Sequence, residues 1–71
     1  MIKELLKGDF MDCRRVKEIC MQEGHSKAEV KKAKSLEGIK TVNVTTSDGR
    51  QMWLWFDPDQ IWEKYSERER N

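Results

Sequence analysis

The chain has 71 residues, 38% of them charged, and its 14 basic and 13 acidic side chains leave a formal net charge of +1. A chain this short supports one small domain with its own core but no enclosed active-site cavity, so a single-purpose binding module is expected and an enzyme is not. The near balance of charge excludes no partner class by itself, and the distribution along the chain has to decide.

The opening stretch from Met1 to Lys7 carries Ile2, Leu5 and Leu6 at helical spacing, with Gly8 as its stop, and reads as a short element covering the core. It is too short and too charged for a secretion signal. No apolar run approaches the about 20 residues that a spanning helix needs, so the protein is expected to be cytoplasmic, with no membrane and no small-molecule substrate among its partners. Asp9 or Asp12 can cap a second helix in which Phe10, Cys13, Val16, Ile19 and Cys20 share one broad face, with Arg14, Arg15 and Lys17 towards the outside. Cys13 and Cys20 stand about 10 Å apart on such a helix, beyond disulfide reach, and are expected as reduced thiols.

Gly24 ends that helix, and only His25 and Ser26 separate it from the next. Ser26 followed by Glu29 is a capping-box signature, placing a helix start at Lys27. Along it Val30, Ala33 and Leu36 fall on one flank, while Lys27, Lys31 and Lys34, at i, i+4 and i+7, form a stripe on the other with Lys32 and Ser35 beside it. From Ser26 to Lys40 five lysines stand against two glutamates, a local +3, whereas Asp57 to Asn71 is a local −2. Two helices joined by so short a glycine turn cross steeply, which is the helix-turn-helix arrangement that presents its second helix to the major groove.

After Gly38 and Ile39 the period changes from 3.6 to 2. Lys40 to Thr46 and Gln51 to Phe56 read as two strands joined at the Asp48-Gly49 turn signal. A two-residue loop would pair Ser47 with Arg50, Val44 with Trp53 and Val42 with Trp55. Both tryptophans would then lie on the helix side, and Asn43, Thr45, Met52 and Leu54 on the other. Without exposed aromatics, that second face argues against RNA readout by stacking. Asp57-Pro58-Asp59-Gln60 then reads as the start of a last helix carrying Ile61, a partly buried Trp62 and Tyr65, running to about Tyr65 and fraying from Arg68 to Asn71.

The expected fold class is therefore α+β: a winged helix-turn-helix of three to four helices with a two-stranded β-hairpin wing. It forms a single domain over residues 1–71, with its core from about residue 9 to residue 66. Gly24-His25-Ser26, Glu29-Val30, Ala33-Lys34, Gly38-Ile39 and Trp53-Leu54-Trp55 stand in the order and spacing of a known module. Over about Val16 to Phe56 the chain resembles the C-terminal winged-helix module of phage and plasmid primase-helicase replication proteins. His25 stands where that family usually has an apolar residue. The resemblance implies association with DNA in replication or mobile-element biology, and a replication protein as a further partner. The family's nucleoside triphosphatase domain is not among these residues.

The catalytic alternatives lack their parts. One histidine, no Ser/His/Asp or Cys/His grouping and no glycine-rich phosphate loop give neither a nucleophile nor a phosphate cradle. Cys13, Cys20 and His25 match no zinc spacing, so no metal and no cofactor is expected; His25 is read as a staple against Val30. The expected partner is double-stranded DNA. Lys27, Lys31 and Lys34 would meet phosphates, Ala28, Lys32 and Ser35 would face the groove, and Arg50 would reach out from the wing. With no Arg or Asn on that helix to read a base edge in two-pronged fashion, binding would be weakly sequence-specific. The rival expectation is a protein-docking winged helix whose contact surface includes Met52 and Leu54.

Overall fold

Seven elements follow in chain order: α1 (Ile2–Leu6), β1 (Met11–Asp12), α2 (Cys13–Gln22), α3 (Lys27–Leu36), β2 (Lys40–Thr45), β3 (Gln51–Phe56) and α4 (Pro58–Glu69). The computed structural model describes the backbone of residues 1–69 and the side chains of residues 1–66. The architecture is α+β, four helices with a three-stranded antiparallel sheet in the order β1-β3-β2. None of the described helices is long and apolar enough to cross a membrane.

The two central helices start and stop where their sequence dictates. Asp12 caps α2 by accepting from the Arg14 N–H at 2.8 Å. Ser26 and Glu29 form the full capping box on α3, each side chain accepting from the other's backbone N–H at 3.2 Å. Both helices end alike. Gly24 and Gly38 take φ of +95° and +70°, and the residues after them, His25 and Ile39, donate to the Cys20 and Lys34 carbonyls at 3.0 Å. Nothing lies within 4 Å of a Cβ built at either glycine, so the backbone angle and not crowding calls for glycine here. The second reversal returns Ile39 to the interior.

The core is Ile2, Leu6, Val16, Cys20, Val30, Ile39 and Trp55, with Met1, Leu5, Met11, Cys13 and Ala33 packed around it. It therefore extends forward to Ile2, ahead of the expected start near residue 9. Glu37, just past the end of α3, secures α1: its carboxylate accepts from the backbone nitrogens of Met1, Ile2 and Lys3 at 3.3, 3.2 and 3.0 Å. A carboxylate against the free N–H groups of a helix start satisfies them and meets the positive end of the dipole. Leu36, expected on the packing flank of α3, is instead 76% exposed. Six residues past Val30, it sits about 120° around the helix from that buried side chain, off the interior face.

The sheet departs from expectation in two ways. First, Met11 and Asp12, expected at the start of a helix, pair as a strand with Trp55 and Leu54, so the hairpin is part of a three-stranded sheet. Phe10 accordingly lies outside any helix, and its ring rests 5.0 Å from that of Phe56. Second, the register is one residue away from the two-residue-loop pairing: Val44 faces Met52, Asn43 faces Trp53, Val42 faces Leu54 and Thr41 faces Trp55. The reason lies in the loop. Thr46 donates to the Arg50 carbonyl at 2.8 Å and accepts from Gly49 at 3.0 Å. Gly49, at φ +85°, is the left-handed residue that closes a three-residue loop after a type I-like turn.

One residue of slip changes which side chains of the two strands share a face. Val42, Val44, Met52, Leu54 and Phe56 share the face turned away from the helices, while Thr41, Asn43 and Thr45 join Trp53 and Trp55 on the inner one. Trp55 is buried at 6% exposure, as expected, but Trp53 is 52% exposed. β1 pairs only with Leu54 and Trp55, so the hairpin beyond them projects past the rest of the sheet.

Asp57 caps α4 as its sequence predicts, accepting from Asp59 N–H at 3.1 Å. Gln60 reaches across to the α1 region, accepting from Gly8 N–H at 3.2 Å and donating to the Lys3 carbonyl at 3.4 Å. The helix continues to Glu69, past the expected fraying point at Arg68, and Arg70 and Asn71 lie outside the described residues. Trp62, expected to be partly buried, is 72% exposed.

Candidate nucleic-acid interface

The turn Gly24-His25-Ser26 sets α3 beside α2 so that one flank of each borders a common groove of about 450 Å³. Its floor is Val30 of α3 and the indole of Trp55. Its rim carries Lys27, Lys31 and Lys34 from α3 with Lys17 and Met21 from α2. Spacings of i, i+4 and i+7 put the three α3 lysines on one side of the helix, and i, i+4 does the same for Lys17 and Met21. The groove thus combines an apolar floor with a lysine-rich rim.

Two of these ammoniums are held in place. Lys34 Nζ lies 5.1 Å and Lys17 Nζ 5.7 Å from the centroid of the Trp55 ring. The negative face of an indole attracts cations at this range, so Trp55 fills the core with one part of its surface and orients two positive charges with another. Among the described residues none of the four lysines is in a salt bridge. Four positive charges around one groove repel one another, and an anion seated among them relieves that repulsion.

The expected contact residues divide into three places. Lys27, Lys31 and Lys34 border the groove. Ala28, Lys32 and Ser35 are exposed on the side of α3 turned away from buried Val30. Arg50 is apart from both, at the end of the hairpin loop, where its Nε lies 3.2 Å from Asp48 Oδ2 and its side chain is 83% exposed. The Thr46 hydroxyl bonded to Asp48 holds that carboxyl below its ordinary range. The hairpin tip is thus a net-neutral Asp48–Arg50 pair and not a free cation.

Sequence reasoning missed Lys17, Met21 and Trp55 as members of the groove. Lys17 follows Val16 by 100° around α2, which already placed it on the border of the buried face. No family model, curated protein or solved structure matches this chain. The groove's chemistry therefore stands on its own residues.

Other reactive groups contribute little. The Nδ1 of His25 lies 3.4 Å from Glu29 Oε2. Glu29 is held below the usual carboxylate range, first by the Ser26 backbone N–H and then by His25 and the Ser26 hydroxyl. Cys13 and Cys20 are free thiols, and burial pushes Cys20 up, away from the reactive thiolate. Among the described residues no three His, Cys, Asp or Glu side chains are grouped to hold a metal ion.

Proposed function

We propose that this chain is a non-enzymatic winged helix-turn-helix module that binds double-stranded DNA through α3 with weak sequence preference. What supports the reading is the order α2, short turn, α3, hairpin, with a third short strand ahead of α2, since a helix-turn-helix followed by a β-ribbon offers both a groove-reading helix and a flanking arm. The observation that carries it is the groove of four lysines with no carboxylate paired to them among the described residues. The hydrogen bonds from α4 side chains go to Lys3 of α1 and to Gly8 and Asp9, none of which borders the groove.

In this reading Lys17, Lys27, Lys31 and Lys34 bind phosphates of one strand, and Ala28, Lys32 and Ser35 face the major groove. Lysine places charge without the planar fork that reads a guanine, so such contacts fix position more than sequence. Arg50 contributes where a phosphate draws it from Asp48. The family resemblance of Val16 to Phe56 points the role towards replication of phage, plasmid or another mobile element.

Titration of a labelled duplex by fluorescence anisotropy tests this. Four phosphate contacts give a log–log slope against salt of about −4. The double charge reversal K31E/K34E is expected to abolish binding with the thermal transition retained; unaltered affinity in that variant sinks the proposal. A docking module is the second reading, favoured by the apolar outer sheet face of Val42, Val44, Met52, Leu54 and Phe56. It predicts that duplex produces no anisotropy change even at low salt.

A further inference from the structure

We infer that Trp53 is a base-stacking residue and that the preferred ligand carries an unpaired stretch of DNA, an inference that rests on the DNA-binding reading above. The indole is 52% exposed although it sits in the middle of a six-residue strand. It shares the inner sheet face with Trp55, two residues further towards the loop, which displaces it about 7 Å along the strand from the floor of the lysine groove. Trp53 does not itself line the groove; it is an open aromatic ring one inner-face position along β3 from the indole at the groove's floor.

The two tryptophans divide the work. The face of Trp55 is occupied by the ammoniums of Lys17 and Lys34, so no base can stack there. Among the described residues no cation lies over Trp53, which is the indole left available. The side chains around it on that face are Asn43 directly opposite, with Thr41, Thr45 and Gln51 nearby. All four are uncharged and able to hydrogen-bond. An apolar docking patch would surround an exposed indole with aliphatic side chains, and in this sheet those are on the opposite face.

Duplex DNA does not use such a ring, because its bases present edges in the grooves and keep their flat faces within the stack. Single-stranded DNA exposes those faces. A positively charged groove that follows the backbone, beside an aromatic ring that receives a base, is the physical basis of single-strand binding with little sequence preference.

The test compares a 15-nucleotide thymidine strand with a duplex of equal length by anisotropy, using wild type, W53A, W53F and K31E/K34E. Tighter binding of the single strand is expected, with W53A losing about tenfold on it and little on duplex, and W53F retaining most of the affinity. In a W62F background, single-strand binding should also quench tryptophan emission, and W53F should remove most of that quench. Single-strand affinity unchanged in W53A, or quenching unchanged in W53F, overturns the inference. If duplex binding is nevertheless present and lost in K31E/K34E, the DNA-binding reading survives without it. Wild type binding neither DNA sinks both.

Discussion

The first and last helices both lie against the rest of the fold, and they are held by different physics. α1 buries Ile2 and Leu6 completely in the core and has its start closed by Glu37 from the end of α3. α4 is tethered by polar groups at its edges, Gln60 to Gly8 and Lys3, Lys64 to Asp9 and the Asp57 cap beside Lys3, and it leaves Trp62 and Tyr65 in solvent. Apolar burial is worth about 25 cal/mol per Å² removed from water, whereas exposed ion pairs contribute little in solvent. The five-residue helix is thus part of the folding unit, and the twelve-residue one is an attachment. Length is a poor guide to which of the two matters for stability.

The largest effect that tests this contrast is the loss of an α1 anchor. Ile2→Ala should cost about 2–5 kcal/mol, a large share of the stability of so small a domain, while Trp62→Ala should stay within about 0.5 kcal/mol. Urea melts of the two variants measure both, and comparable losses would erase the distinction.

Glu37 comes next. Its removal as Glu37→Ala leaves backbone donors of α1 without their acceptor and should cost about 1–3 kcal/mol. Burial alone would push the Glu37 carboxyl up, but the N–H groups of Lys3 and Ile2 together with the Met1 nitrogen outweigh it and hold the group below its ordinary value. A folded value below the unfolded one means stability is present above the ordinary carboxylate range and is lost as the pH falls through the lower folded value. Wild-type stability should therefore fall between about pH 5 and pH 3 more steeply than that of Glu37→Gln, as followed by denaturation at each pH. Parallel curves would show that Glu37 is not the anchor. The smallest effect belongs to α4: Lys64→Ala, breaking an exposed pair with Asp9 at 2.6 Å, should cost less than about 1 kcal/mol and less still at high salt.

Much of this was readable from local sequence, where the deciding interaction lies within four residues. Ser26 with Glu29, Gly24 and the Asp57 cap do in the structure what their spacing predicts, and of the two candidate caps for α2 it is Asp12 that serves. The lysine stripe also lies together on α3 as its periodicity required. The failures share a cause. Asp48-Gly49 is compatible with a two-residue loop or with a three-residue loop closed by Gly49, and the dipeptide does not distinguish them; the Thr46 pairing with Arg50 chose the second. β1 is too short to show a period at all. The burial of Trp55 but not Trp53, and the meeting of Lys17 with the α3 lysines, depend on where the helical layer stops, which is a tertiary fact.

Asp12 holds two offices at once: it is the last rung of β1 against Leu54 and the cap of α2. No linker separates the ladder from the helix, so inserting even one residue there would swing α2 by about 100° and carry Val16 and Cys20 out of the interior. Length changes in descendants of this chain are thereby steered away from the strand–helix junction and into the hairpin loop, where the backbone has slack.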